Sequence, residues 1–314
     1  MSIAGGVFNA ILDGERIGCD AIQMFNKSNN RWRAKPLSDS EVERFRAEVA
    51  RTGISVACSH ASYLINLATP DDSLWKKSVG SLIEELERCE RLGIAHLVVH
   101  PGAHVGSGVT RGIERIAEAI NESLMKAPGK CCVCLETTAG QGSALGRSFE
   151  EIAAIMKLIS DKTRVSVCVD TCHIFAAGYD FRAKKEYDRT TSLLLRAISR
   201  NRIAVFHCND SKGDLGSHVD RHAHIGQGKI GLSGFEFLMN DSRFTAIPKI
   251  LETPKGKDLK EDIANMKILR GLIQGHRPAT KTSAPRAIQR SQSTKTSMKS
   301  QRPRTRSQKT THAK

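Results

Sequence analysis

Six β-rich runs in this chain end on, or one residue past, a side chain of metal-ligand type. They are ISVACSH (54–60), HLVVH (96–100), CVCLE (132–136), VSVCVD (165–170), IAVFHC (203–208) and IPKILE (247–252). The runs present His60, His100, Glu136, Asp170, His207 and Glu252, and His173, Asp220 and His222 complete a set of nine. In a (β/α)8 barrel the C-terminal strand ends converge on one face, so residues far apart in sequence meet there. Core packing does not account for the pattern, because burying a charged side chain costs on the order of several kcal/mol unless it is paired or bound to a metal.

Helical segments separate the runs, at 38–52, 71–92, 110–127, 148–160, 187–200, 233–241 and 258–273. Ser38 with Glu41 and Ser148 with Glu151 form S-x-x-E capping boxes, and Asp71 or Asp72 can cap the helix between them. Strand–helix alternation implies a parallel sheet. CDAIQMF (19–25) adds a seventh strand, preceded by a Gly-Gly pair and the helical stretch VFNAILDGERIG. The expected fold is therefore an α/β TIM barrel of the (β/α)8 type that lacks its first strand. Either the barrel is open between its last strand and CDAIQMF, or the start is an internal Met of a longer reading frame; the second reading is preferred, since two free strand edges are an association liability.

With 314 residues and 39% hydrophobic content the chain can bury one large core, as a barrel of about 250 residues requires. The barrel domain is expected to span 1–276. Residues 277–314 carry eleven of the net +15 charges and no Asp or Glu, leaving residues 1–276 only mildly basic. This tail is rich in Ser, Thr, Pro and Gln and too poor in apolar residues to fold alone, so disorder is expected. It can add sequence-independent attraction to phosphate backbones, serve as a localisation signal, or be a solvated extension. No window approaches the roughly 18–20 apolar residues of a membrane span, and the N-terminus lacks the order of a signal peptide. An intracellular, soluble protein is expected. Its nine cysteines include no C-x-x-C pair and fall largely inside strands, as reduced small fillers do. Cys172, between Asp170 and His173, is read as a wall position, with a soft ligand as the alternative.

Imidazole and carboxylate donors suit Zn2+, Mn2+ or Fe2+, and five histidines among nine tilt the choice to zinc. Nine donors exceed the needs of one ion and imply two or three with open positions. Clustered ions about 3.5–4 Å apart stabilise both the attacking and the leaving oxygen of an in-line phosphoryl displacement. Phosphodiester hydrolysis is the natural reaction, and sugar isomerisation on a metal-bearing barrel competes with it.

The stretches GGVFNA (5–10), QMFNKSNNRW (23–32), SHASYLINLA (59–68), VVHPGAHVGSG (98–108), LETTAGQGS (135–143), CVDTCHIFAAGYD (168–180), FHCNDSKGDLGSHVDRHAHIGQGKIG (206–231) and LETPK (251–255) resemble the endonuclease IV family of abasic-site endonucleases over about residues 5–275. The resemblance implies a trinuclear zinc centre, with Mn2+ admissible at one site. His60, His100 and Glu136 would bind one ion; Glu136, shared, with Asp170, His207 and Glu252 a second; His173, Asp220 and His222 the third. Glu136 and Glu252 would be the catalytic carboxylates, and a hydroxide the nucleophile. It further implies incision of duplex DNA 5′ to abasic sites, cleaning of blocked 3′ ends, and a monomer. Such an enzyme would work in a bacterial cytoplasm, or in a nucleus if eukaryotic.

Tyr63 and Leu64 match the family's pair that penetrates the duplex, although core packing is the default for such a pair without the resemblance. Asn30 and Arg31, beside Trp32, lie in a second DNA-contacting loop, where the family's Arg is displaced by one position. Lys27 and Lys212 are candidate phosphate contacts. His96, His104, His218 and His224 are expected to be structural, with His104 and His224 near enough to the ligands to act as outer partners. Gly226 and Gly228 would permit a tight turn. A xylose-isomerase-like sugar enzyme and a catalytically dead DNA-binding relative are the alternatives.

Overall fold

In the computed structural model, which describes residues 1–275, seven strands run parallel in sequence order around one sheet. They are β1 (Ala21–Phe25), β2 (Ser55–His60), β3 (His96–Val99), β4 (Cys132–Glu136), β5 (Val165–Asp170), β6 (Ile203–His207) and, past a hairpin, β9 (Lys249–Ile250). The hairpin pairs β7 (Asp210–Ser211) antiparallel with β8 (His222–Ala223). Helix α1 (Asn9–Ile17) precedes β1, and helices follow the strands after it: α2 (Asp39–Thr52), α3 (Asp72–Leu92), α4 (Val109–Lys126), α5 (Phe149–Leu158), α6 (Thr171–Ala176), α7 (Lys184–Ala197), α8 (Gly231–Asn240) and α9 (Lys260–Gly271). The result is a nearly closed α/β barrel with the architecture of a (β/α)8 fold short of one strand. β1 and β9 approach each other without laddering. Met1, Cys19, Gln23, Ile250 and Met266 line a cavity of about 50 Å³ at the seam, and the Met1 amino group donates to the Gln23 carbonyl. The expectation of a disordered tail at 277–314 falls outside the described residues. Among the described residues no helix is long and apolar enough to cross a membrane.

Two cores hold the barrel. The larger lies between strands and helices and includes Phe45, Leu82, Leu86, Phe149, Phe175 and Phe235. The smaller is the barrel interior, where Ala57, Cys58, Val98, Cys134, Cys168, Val205 and Ile250 pack together with Ala21 against them. These are small side chains because inward-facing positions of several strands share one narrow axis. All nine cysteines are free thiols, and Cys58, Cys134 and Cys168 are interior fillers.

Because side chains alternate along a strand, the residue two positions beyond each interior one faces inward again, one layer higher. That step carries Cys58 to His60, Val98 to His100, Cys134 to Glu136, Cys168 to Asp170, Val205 to His207 and Ile250 to Glu252. The same step carries Ala21 to Gln23. The metal-type residues are thus the top layer of the barrel, and Gln23 is a member of that layer.

The capping signals act as expected, with one difference. Ser38 and Glu41 form a reciprocal box, and Asp71 caps α3. Ser148 accepts from Glu151 N–H, but the Glu151 carboxylate turns to the N–H groups of Gly146 and Arg147 instead of closing the box. Asp71→Ala removes the acceptor that meets Leu74 N–H at 2.9 Å. It should lower the unfolding free energy by about 1 kcal/mol, read as a shift in the urea midpoint.

Candidate metal centre

Glu136 sits at the middle of the top layer with 0% of its surface exposed. Its two oxygens face different sides. Oε2 lies 3.1 Å from His60 Nε2 and 3.2 Å from His100 Nε2. Oε1 lies 3.0 Å from His207 Nδ1 and 3.3 Å from His173 Nδ1. Burial pushes this carboxyl up, but the imidazoles of His207, His100 and His173 outweigh it and hold the group well below the usual carboxylate range. Burial lowers His207, and neighbouring groups, among them Glu252 and Glu136, reverse the balance and keep its pKa well above the ordinary value.

Five groups of ligand atoms form, each within 4.8 Å, and three of them hold only imidazoles and carboxylates. His60, His100 and Glu136 make the first; Glu136, Asp170, His207 and Glu252 the second; His173, Asp220 and His222 the third. Asp220 has 40% of its side chain exposed and His100 35%, so the first and third groups open onto a cavity. That cavity, of about 320 Å³, is lined by His60, Tyr63, His100, Gln141, His173 and Asp220 among others.

The residues fit a bound cation. The Nδ1 atoms of His60, His173 and His222 approach the carbonyls of Ala61, Thr137 and Glu252 at 2.7, 2.7 and 3.2 Å. Donation there places the lone pair on Nε2, toward the shared space. His173 Nε2 and His222 Nε2 are buried and have no hydrogen-bond partner, although Asp220 Oδ1 is 3.2 and 3.3 Å away. Two orphaned imidazole nitrogens beside an acceptor-only carboxylate are what a divalent cation would satisfy. Cys168 and Cys172 also lie within ligand reach. Burial pushes Cys172 up to about 12 and Cys168 well above the usual thiol range, and Cys172 Sγ faces the Arg221 carbonyl.

Local structure explains how the third group assembles. Asp170 ends β5 and caps α6, accepting His173 N–H at 2.9 Å. A helix start, not a simple turn, thus sends Asp170 and His173 to different groups. Asp220 and His222 lie on a segment returning to β7, and Asp210 seats the rest of it. Asp210 is wholly buried and accepts N–H bonds from Gly226, Gly228 and Ile230, each at 2.9 Å, and from Ser211 and Gly231. Gly226 holds φ at 78°. A Cβ on Gly228 would come within 2.4 Å of Asp210 Oδ1, so this glycine permits close approach to a carboxylate.

Further support comes from residues that sequence reasoning did not single out. Gln23 accepts from His207 Nε2 at 2.8 Å through Oε1 and donates to Glu252 at 2.5 Å through Nε2. Asn209 donates to Asp170 at 2.6 Å and accepts Glu252 N–H at 2.8 Å. The two-residue step along each strand identifies Gln23; nothing comparable marks Asn209 or Asp210.

Of the residues expected to contact DNA, Tyr63 borders the centre. Tyr63 is 59% exposed with its ring 5.2 Å from that of His60, and Leu64 is half-buried beside it. Asn30 and Arg31 are exposed. Lys212 is exposed too, but Lys27 is not a phosphate contact: its side chain is 1% exposed and faces Glu85. The other described histidines have local partners, namely Ser166 for His96, Gly108 N–H for His104, the Ala139 carbonyl for His218 and Asn265 for His224.

The chain matches the family described as xylose isomerase-like TIM barrel over residues 13–269. It is 51% identical over 276 residues to a probable endonuclease 4 of Chloroflexus aurantiacus, covering 88% of this chain and 97% of that relative. The crystal structure of endonuclease IV from Thermus thermophilus superposes with a TM-score of 0.77 at 41% identity, over 87% of this chain and 96% of that one. D-psicose 3-epimerase from Clostridium cellulolyticum, at 16% identity and a TM-score of 0.60 over 85% and 93% of the two chains, shares the fold alone.

In the metal-free protein the pKa values of His173 and His207 are raised despite burial, so these rings keep their protons to higher pH. A cation must displace those protons. Zinc uptake by the stripped protein should release protons, and apparent affinity should rise with pH until the rings deprotonate by themselves; calorimetry in buffers of different ionisation enthalpy measures both. Asp210→Ala strands several buried N–H donors and frees the segment behind Asp220 and His222. It should weaken one metal site by roughly 10–100-fold, read by competition with a chromogenic chelator.

Proposed function

Since the chain belongs to the endonuclease IV family of abasic-site endonucleases, we propose that it hydrolyses the DNA backbone 5′ to abasic sites through a trinuclear zinc centre and also clears blocked 3′ ends. The arrangement around Glu136 carries this reading: one buried carboxylate is shared by imidazoles of separate groups, and a third group with orphaned nitrogens stands beside it. His60, His100 and Glu136 would hold one zinc, Glu136, Asp170, His207 and Glu252 a second, and His173, Asp220 and His222 a third. Bound there, the ions supply a nucleophile at neutral pH and neutralise the departing 3′-oxygen.

The protein's own groups do the rest. Gln23 and Asn209 fix the orientation of His207, Asp170 and Glu252, so the donors are arranged before substrate arrives. The 320 Å³ cavity falls within the size range of ligand pockets and would receive the extruded sugar phosphate. Tyr63, which lines it, and Leu64 beside it would fill the space left in the stack when that nucleotide is extruded, and Asn30 and Arg31 would meet the duplex from another loop. All nine donors come from one chain, so a monomer suffices; acting on DNA, it would work in a bacterial cytoplasm, or in a nucleus if eukaryotic. Against a sugar-isomerase reading, the epimerase likeness is at 16% identity and shows the fold alone, whereas endonuclease relatives are about 51% identical over 88% of the chain.

The test is a duplex with one abasic site, incubated with the purified protein and resolved on a denaturing gel. Incision on the 5′ side that leaves a 3′-hydroxyl, lost after exhaustive chelation and restored by zinc, is the expected result. Glu252→Gln should lower incision by more than the roughly 100-fold that loss of an outer partner costs, while duplex binding persists. Binding without cutting by the wild-type protein would identify a dead relative.

A further inference from the structure

The Asn30–Arg31 and Tyr63–Leu64 loops leave neighbouring strands, β1 and β2, and both run along α3. Polar residues of that helix, Ser78, Ser81, Glu84, Glu85, Arg88 and Arg91, follow one another at short helical intervals and therefore share one side of it. Each bonds to loop backbone or to a side chain from the loops. Ser78 Oγ accepts Asn66 N–H at 3.0 Å, and both oxygens of Glu85 accept Ser62 N–H at 3.2 Å, which hold the second loop. Glu84 accepts Ala34 N–H at 3.0 Å. Arg88 donates to the carbonyls of Asn26 and Lys35, at 2.6 and 3.0 Å, and Arg91 to that of Leu37 at 2.5 Å, which hold the first.

Lys27 joins the two halves. Its Nζ donates to Ser81 Oγ at 2.7 Å and to the Trp32 carbonyl at 2.8 Å, and it lies 3.4 Å from Glu85 with both side chains 1% exposed. Ser62 Oγ then donates to the Asn29 carbonyl at 2.7 Å, tying loop to loop. Stability alone does not explain such a pair, because a buried ion pair is often no better than apolar residues of similar volume. Its distinctive property is direction: a cation and an anion at one point between the two loops, each bonded to backbone that leads to an exposed tip.

We propose that the Lys27–Glu85 pair is a positioning element for substrate recognition, locking the Asn30–Arg31 and Tyr63–Leu64 loops into one unit before DNA arrives. The inference rests on reading those tips as the DNA contacts. Preordered loops spare the complex the entropy of ordering them at the moment of binding, so the pair acts on duplex affinity. Among the described residues neither side chain hydrogen-bonds to any of the nine metal-type residues, so its effect is separable from metal binding.

The experiment compares wild-type protein with Lys27→Met and with the double variant Lys27→Met/Glu85→Leu, all zinc-loaded. Zinc content, melting temperature, steady-state incision of an abasic duplex and hydrogen exchange without DNA are measured. Expected is a KM for the duplex raised about tenfold or more with kcat within about twofold, at unchanged zinc content. Peptides covering 28–34 and 61–66 should exchange roughly tenfold faster while the barrel strands do not change. The double variant should recover the melting temperature of the wild type but not its KM. Recovery of both would make the pair a stabiliser only and overturn the proposal, as would unchanged loop exchange, or zinc loss that tracks the loss of activity. A wild-type protein that does not cut the duplex overturns the functional reading instead, and loop exchange still decides whether the pair holds the loops.

Discussion

The structure depends on one carboxylate that cannot stand alone. Glu136 is fully buried, and an isolated ionised carboxylate in such a place is prohibitively costly. It is tolerated because His60, His100, His207 and His173 each come within 3.0 to 3.3 Å of one or other of its oxygens. Those imidazoles arrive from β2, the end of β3, β6 and the start of α6, so the cluster can form only if the strands close in register around it. The reverse also holds. The cluster is adverse without compensation, and the compensation available is proton, partner or cation. A bound divalent cation would resolve a top layer in which His173 Nε2 and His222 Nε2 are buried without a hydrogen-bond partner.

The barrel supplies this geometry through the two-residue rise between layers. Below the ligands the interior is filled by Ala57, Cys58, Val98, Cys134, Cys168, Val205 and Ile250, and the next inward position on each strand carries a donor. Small interior residues let the strands approach closely enough for the ligand layer to converge. Outside the strands, the larger aromatic and aliphatic core fixes the helices, and the loops at the C-terminal face are free to carry recognition. That division lets one fold carry different chemistries on its loops and top layer, and the likeness to an epimerase at 16% identity is a likeness of fold alone.

Legibility in the sequence followed the same division. Six of the nine candidate ligands were readable because each strand-end run is a short apolar segment closing on a residue that has no place in a core, whereas His173, Asp220 and His222 follow no such run; the alternation of helices and strands disclosed the barrel. Gln23 was missed because a neutral amide carries no chemical alarm, although counting two residues on from Ala21 identifies it. Asp210 and Asn209 were missed because they follow β6 in a polar stretch where exposure is the default, and only the fold shows them buried. Lys27 was misread for the same reason: a lysine in a loop is ordinarily solvated, and its partner Glu85 lies 58 positions away on α3, where no local pattern connects them.

Asp210 and the Lys27–Glu85 pair solve one problem in two places. A loop that must hold functional groups at a fixed point has little apolar surface with which to pack, and its backbone N–H groups need acceptors wherever it turns inward. A buried charged side chain meets several such groups at once. Asp210 gathers the turn that follows the third group of ligands, and the α3 row with Lys27 gathers the two loops above the first. In both cases the anion or cation is bonded to backbone and not to a reacting group, so the cost of burying charge is offset by ordering that the chemistry requires. Rigid strands place the metal-type donors; buried charges place the loops around them.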